Sequence, residues 1–479
     1  MKRIAALFLA LGMVLTAGCA EKDQDEPEQR EVFAMDTAMR LIVYGEDASR
    51  AANAAEEEIY RLDSLLSRTN EASKVSLLNS AEGRMVPVGE ALCDLIQTAA
   101  TYTELTGGAF DITIAPVVSA WGFTTDHYQV PDPEELEELL TYVGMEHVHL
   151  SGKSSASSGY ENASLDPGTQ IDLGGIAKGY ASDRLAAIFQ EHEIPRALAS
   201  LGGNVLAWGS KADGSAWRVG IQDPNAPSDP DSYVGVLQLT NAFAVTSGSY
   251  ERFFEQDGSI YHHIIDPATG YPAESGLVSV TVVADSDAGN GTMCDALSTA
   301  LFVMGRDKAL DFWRSGACDF EMVLVGQDGL VVWRIASRLP REAVIPMKSF
   351  PELRPRWPDA VVAAAVVVLA AACAWLIWRG AGESGALEAV VSVDGAEEFA
   401  VPLEGLSRTE HTVSANGYTL TIVLTDTEVW VEASDCPTQD CVHTGHISRS
   451  GQSIVCLPAR VTVRLVGGSG EADVDAVIG

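Results

Sequence analysis

Basic residues are scarce in this chain. Lys and Arg total 31 against 67 Asp and Glu in 479 residues, a formal net charge of −36. Nonspecific binding to nucleic acid or to an anionic membrane surface needs basic patches, so neither is expected. Cys-x-x-Cys pairs are also lacking although there are eight cysteines, which argues against a zinc ribbon. Apolar residues are not scarce. At 47% of the chain they exclude overall disorder, and the length implies two or three domains.

Residues 1–19 have the parts of a secretory signal. Lys2 and Arg3 make the positive start, Ile4 to Leu15 the apolar stretch, and Thr16-Ala17-Gly18 the small residues a peptidase accepts. Cys19 after Ala-Gly resembles a bacterial lipobox, with Thr16 where that motif prefers Leu. Export and lipid attachment at Cys19 are the expectation, which puts the protein at the cell membrane. Residues 20–31 are charged and without apolar periodicity, and read as a tether. A mixed region follows to about residue 345. Helical periodicity marks 48–66, 90–105, 178–192 and 292–304, and strand patterning marks 40–44, 218–222, 234–239 and 278–284. The irregular alternation predicts an α+β domain over 32–345. Residues 360–378 are uncharged, apolar and long enough to cross a bilayer. Beyond them, residues 386–467 alternate as short strands of a small all-β module.

Three segments carry the chemistry. From Gln170 through Leu201-Gly202-Gly203, two Gly-rich turns flank a predicted helix, and backbone amides at such a helix start suit phosphate oxygens. From Ala244 to Tyr271 the chain reads AVTSGSYERFFEQDGSIYHHIIDPATGY, with His263 three residues before Asp266. A histidine beside a carboxylate can take a proton from an attacking hydroxyl, or simply hold a strand end. In 290–305, Asp295 and Thr299 are four apart on a predicted helix, so their oxygens share a face. Carboxylate plus hydroxyl is hard-oxygen ligation of the kind Mg²⁺ takes, or a solvated helix face.

Together with TGGAFDITIAPVVSAWGF over 106–123, Met35-x-Thr37 and Ser67 to Ser73, these segments resemble the ApbE family, the FAD:protein FMN transferases. The resemblance runs in the family's order through 32–345. It implies an ApbE-like flavin transferase fold with Mg²⁺ as cofactor and FAD as substrate, and an acceptor protein whose Ser or Thr hydroxyl receives FMN while AMP leaves. Carried over residue by residue, it places the metal on Asp295, Thr299 and the carbonyl of Ala177, with Ser298 near. His263 becomes the base and Asp266 its orienter or a strand-end anchor. Flavin and adenine contacts fall on Met35, Thr69, Ala109, Phe110, Asp111, Gly174, Tyr180 and Ile265. Two positions depart from the pattern: Asp36 stands where the family has Gly, and Thr69 where it has an aromatic residue. The competing readings are Mg²⁺-dependent hydrolysis of FAD and a flavin-binding lipoprotein without catalysis.

Residues 386–467 resemble the NusG domain II-like modules through Asp435-Cys436-Pro437, Cys441, Thr444 to Ser448 and Ser453 to Pro458. Residues 380–479 hold four Arg and no Lys against fifteen Asp and Glu, so no nucleic-acid partner is expected. Cys436, Cys441 and Cys456 are compatible with a disulfide plus a free thiol, a metal site with His443 or His446, or a packed core. A single crossing at 360–378 would put this module opposite an exported transferase. Yet Arg338, Arg341, Lys348, Arg354 and Arg356 precede the span while only Arg379 closely follows, against the positive-inside rule.

Overall fold

The structure is a computed structural model, and it describes residues 26–124, 127–153, 159–226, 232–329, 331–334, 387–467 and 474–478. The expected signal segment with Cys19, and the expected span at 360–378, lie outside the described residues. Among the described residues no helix is long and apolar enough to cross a membrane.

The chain divides into two units: residues 1–334 with 474–479, and residues 335–473. The first is α+β, as the irregular alternation predicts. Its centre is an eight-stranded antiparallel sheet in which spatial order follows chain order: β1 (Glu28–Ala34), β2 (Thr37–Tyr44), β3 (Arg196–Ser200), β4 (Asn204–Trp208), β5 (Ala242–Gly248), β6 (Leu277–Asp285), β7 (Glu321–Gly326) and β8 (Val331–Arg334). Between these strands come the helices α1 (Ala48–Leu66), α2 (Glu90–Leu105), α3 (Ala177–Glu191) and α4 (Asn290–Ser315). Helix α1 packs on β1 and β2, α3 on β4 and against α1, and α4 on β5 and β6.

Helix α1 forms because Ala48, Ala51, Ala52, Ala55, Ile59, Leu62 and Leu66 recur at helical spacing and are all buried. The alanines let the helix lie close on the sheet. β6 reads Leu-Val-Ser-Val-Thr-Val-Val-Ala, nearly continuous and buried on both faces, which marks it as an interior strand. Helix α4 runs on past the 292–304 periodicity to Ser315, but Gly305 breaks its geometry with φ 76°. There the helix kinks.

One reading needs correction. Residues 28–31 are not a tether: they pair with 40–43 in β1. β1 is the sheet's edge, so its polar Glu28, Gln29, Arg30 and Glu31 face water and neighbouring charges, among them Arg30 with Glu28 and Glu56. Edge strands carry such residues without an apolar alternation to reveal them.

The first unit also takes a strand from the end of the chain. Ala476–Ile478 pairs in parallel with Trp217–Gln222, with Val474 and Ile478 buried. The Asp475 carboxylate accepts from the Arg218 amide at 2.7 Å and pairs with Lys211.

The second unit is a small β module with its own core. One sheet joins Ala396–Pro402, Glu388–Val393, Val461–Val466 and Ser453–Cys456; the other joins Thr409–Ala415, Tyr418–Leu424 and Val429–Ser434. Ala389, Val391, Leu420, Ile422, Val463 and Leu465 are among the buried side chains between them.

Candidate functional site

The Gly-rich turn before α3 is held from several sides. The Asn79 side chain donates to the Ile171 carbonyl at 2.9 Å and accepts from its amide at 2.8 Å. Arg68 reaches Asp172 at 2.8 Å and Ser119 at 2.6 Å. Asp172 in turn accepts from the Gly174 amide at 2.8 Å. A Cβ on Gly175 would meet Phe110 at 3.2 Å and the Thr299 hydroxyl at 3.4 Å, so the turn brings those two side chains together.

Helices α3 and α4 cross at glycine. A Cβ on Gly179 would lie 2.3 Å from the Gly291 carbonyl and 2.6 Å from the Asp295 Cβ, so no larger residue fits. Asp183 of α3 caps α4 across this crossing. Its carboxylate accepts from the amides of Gly289 (3.1 Å), Gly291 (2.9 Å) and Thr292 (2.8 Å), satisfying donors that a helix start leaves free. This fixes the register of α4, and with it Asp295.

Asp295 is 4% exposed and accepts from the Gly179 amide at 2.7 Å. Burial pushes its carboxyl up from the ordinary range, and the Lys178 charge opposes that push. Lys178 itself donates to the Gly202 carbonyl at 2.9 Å. Beside Asp295 lies Asn204, 1% exposed, whose amide makes no well-formed hydrogen bond. Ser247 at the end of β5 contacts the hydroxyls of Ser298 at 2.8 Å and Thr299 at 3.3 Å, while Ser298 donates to the Asp295 carbonyl at 2.9 Å. Ala177 is the buried first residue of α3. The four expected ligand residues therefore sit on the two helices that cross at Gly179.

His263 stands after the strand Ser259–His262, half-buried. Its Nδ1 lies 3.2 Å from the Arg252 carbonyl, which can only accept, so Nδ1 carries the proton and Nε2 is the free lone pair. Burial first, then the Arg252 charge, drive the ring's pKa down to about 3, and Lys178 adds to the effect. The ring is thus neutral near neutral pH. Lys178 biases both Asp295 and His263, which joins the two halves of the site.

Asp266 does not reach for the histidine. Its carboxylate accepts from Ala268 at 2.9 Å, and its carbonyl accepts from Gly270 at 2.9 Å, closing the Pro267–Gly270 turn. These bonds are those of a strand-end anchor.

The remaining expected positions lie on several other elements. Met35 and Asp36, at φ 50° and 55°, are the two-residue turn between β1 and β2. Such a turn needs positive φ at both residues, which explains a family preference for Gly and shows what Asp36 does in its place. Arg252 donates to the Asp36 carbonyl at 3.2 Å, tying this turn to the His263 segment. Exposed Thr69 has its hydroxyl 3.1 Å from that of Ser67. Ala109 is half-buried, and Phe110 is buried near Gly175. Asp111 is buried and accepts from the Thr113 amide at 2.8 Å and hydroxyl at 2.6 Å, so one of its oxygens is committed to a local turn. Gly174 is exposed on the phosphate-type turn, and Tyr180 is half-buried on α3 with burial raising its hydroxyl's pKa. Ile265 packs with Val117, Trp121, Phe123 and Leu136 in a satellite core. Lys178, Asp183, Asn204, Ser247 and Arg252 were not singled out by sequence. The one available signal was Asn204, a polar residue opening the apolar run Val205-Leu206-Ala207.

The family model described as the ApbE family matches residues 35–324, and that described as NusG domain II matches 361–469. An FAD:protein FMN transferase of Treponema pallidum is 35% identical over 304 residues, covering 61% of this chain and 82% of the relative. One from Escherichia coli K12 is 33% identical over 344 residues, 69% and 94% of the two chains. The crystal structure of an ApbE protein from Thermotoga maritima superposes with a TM-score of 0.57 at 36% identity, covering 64% of this chain and 96% of that one.

Proposed function

The chain belongs to the ApbE family and is an FAD:protein FMN transferase; on that premise we propose that it uses Mg²⁺ at the FAD pyrophosphate, takes a Ser or Thr hydroxyl of a partner protein as acceptor, and releases AMP. The observation that carries this reading is the buried Asp295 carboxylate, set on crossed helices beside the buried Asn204 amide and coupled through Lys178 to a neutral His263.

The donor set fits the ion. Asp295, the Thr299 hydroxyl and the Ala177 carbonyl are hard oxygens, Ser247 contacts both Ser298 and Thr299, and a buried carboxylate suits a cationic ligand. When bound, the ion would offset charge gathering on the phosphate oxygens, usually a large term in phosphoryl transfer. The rest falls to the protein's own groups. The Gly174 amide is held by Asp172, so the Gly175 amide before α3 is the one that would meet the pyrophosphate, and Lys178 adds a fixed positive charge. Phe110 and Tyr180 offer ring surfaces; Met35, Thr69, Ala109, Asp111 and Ile265 complete the flavin and adenine enclosure.

In the step itself, the acceptor oxygen attacks the phosphorus of the FMN half. A new P–O bond forms as the bridging P–O bond to AMP breaks, and the hydroxyl proton passes to Nε2 of His263. The Nδ1–H bond to Arg252 keeps that lone pair available. The test is incubation of the protein with FAD, Mg²⁺ and an acceptor, followed by mass spectrometry. FMN on the acceptor and free AMP support the reading. Free FMN with unlabelled acceptor would show hydrolysis, and intact FAD would show binding alone.

We also propose export with lipid attachment at Cys19, placing the transferase outside the cytoplasmic membrane. Pairing of Ala476–Ile478 with Trp217–Gln222 supports a reading in which the chain's end lies on the same side as the transferase, against a single crossing at 360–378. A protease-sensitive tag at Gly479 tests it: cleavage in intact cells is expected, and full protection would contradict it.

A further inference from the structure

The second unit buries three cysteines that the transfer reaction does not use. Cys436 follows the strand Val429–Ser434, Cys441 sits on the short helix Asp440–His443, and Cys456 ends the strand Ser453–Cys456. Each is at most 2% exposed, and their sulfurs all lie within 4.8 Å of one another. All three are free thiols, with 3.7 Å between the Cys436 and Cys441 sulfurs.

The loop between the first two is held in shape. Gln439 adopts φ 57°, and its amide donates to the carbonyls of Ser434 (2.5 Å) and Cys436 (2.7 Å), turning Cys441 back toward Cys436. Donors also converge on the sulfurs: the Ser434 hydroxyl and Val442 amide on Cys441, and the Ala459 amide on Cys456. Such donors stabilise thiolate over thiol.

The spacing favours a shared ion over a cross-link. A disulfide between two of these sulfurs, about 2.05 Å apart, would leave the third buried thiol over. Metal–sulfur bonds of about 2.3 Å put ligand sulfurs about 3.8 Å apart in a tetrahedral site and about 4.0 Å apart in a trigonal one. The observed 3.7 Å meets that separation almost unchanged. The histidines are not part of it. His446 is exposed, stacks on Trp430 at 4.3 Å and bonds Glu428 at 2.8 Å, and exposed His443 does not join the cluster.

We propose that Cys436, Cys441 and Cys456 form an all-sulfur site for one thiophilic d¹⁰ metal ion, Cu⁺ or Zn²⁺. Thiolates select both ions. Three ligands satisfy Cu⁺, whereas Zn²⁺ would take an exogenous fourth. Binding displaces the thiol protons to solvent and changes no oxidation state.

The experiment uses the full chain, reduced and stripped of metal under anaerobic conditions, then titrated separately with Zn²⁺ and with chelator-buffered Cu⁺. One ion per chain is expected, with sulfur-to-copper charge-transfer absorption in the Cu⁺ arm. Cys441→Ser and Cys456→Ser should each weaken binding by more than about 10-fold, while Cys318→Ser in the first unit leaves it unchanged. Flavin transfer should stay intact in all three variants, which separates failure here from failure of the transferase reading. Far-UV circular dichroism checks that the variants fold. Absence of binding at one equivalent in the folded wild-type chain would overturn the proposal. So would a chain that, isolated without reductant, holds two of these cysteines as a disulfide and after reduction still takes no ion.

Discussion

The two units place polar chemistry in opposite ways. The first gathers oxygen: Asp295, Ser298, Thr299, Ser247 and backbone groups converge from a strand end and two crossed helices. The second gathers sulfur from one end of a small β module, within twenty-one residues. Oxygen donors are hard and suit a small divalent ion beside phosphate, where substrate must enter and leave. Sulfur donors are soft and, with each cysteine nearly fully buried, suit an ion that stays. On the two proposals, one site turns over and the other holds.

The sharpest way to break this comparison is to remove the central oxygen ligand. Asp295→Asn keeps the shape but loses the charge, and should lower flavin transfer on the order of 10³-fold while leaving thiophilic metal binding untouched. Loss of both in a folded variant would show that the two sites are not independent. His263→Asn should cost about 10²-fold in kcat with little change in the FAD concentration dependence, since a base acts on the acceptor's proton. A change confined to KM would make the ring a binding contact instead. Gly179→Ala adds a Cβ where Gly291 and Asp295 already stand. It should cost about 1–3 kcal/mol by thermal or denaturant unfolding and depress transfer by moving Asp295. An unchanged Tm would contradict the close helix crossing.

A further effect is on pH dependence. The folded pKa of His263, about 3, is below its unfolded value near 6.5. The folded state therefore binds fewer protons, and this contribution to stability is complete above about pH 6.5 and drains away as pH falls toward 3. His263→Asn should flatten the acid side of the unfolding profile; an unaltered profile would contradict the environment described for the ring.

Local patterning made much of this fold legible. The boundaries of α1 and α2 coincide with the 48–66 and 90–105 periodicities, and α3 differs from 178–192 by one residue at each end. Each has a continuous apolar stripe, and such stripes report burial directly. β1 was hidden because an edge strand has one side in water, and the strands Ala396–Pro402 and Thr409–Ala415 were hidden for the same kind of reason, with exposed Glu397, Glu398 and Glu410 along them. The expected ligand residues could be named only because a resemblance ties distant segments together. Spacing puts Asp295 and Thr299 on one face but says nothing of Ser247 or Asn204, which arrive from β5 and β4. Asp183 looked like one more letter of a motif, and its role as the cap of α4 exists only in three dimensions. Cys436 and Cys441 are close in sequence, but nothing in sequence shows that Cys456 completes their cluster while His446 turns away to Trp430.

The central claim is transfer of FMN to a hydroxyl through the Asp295 and His263 centre. Intact-mass analysis of an acceptor protein, incubated with FAD, Mg²⁺ and either wild-type or Asp295→Asn protein, tests it most directly. The account predicts an acceptor heavier by one FMN group, the modification mapping to a Ser or Thr, with matching AMP and a near-complete loss in the variant. FMN and AMP formed with the acceptor unmodified, or equal labelling by the folded variant, would contradict it.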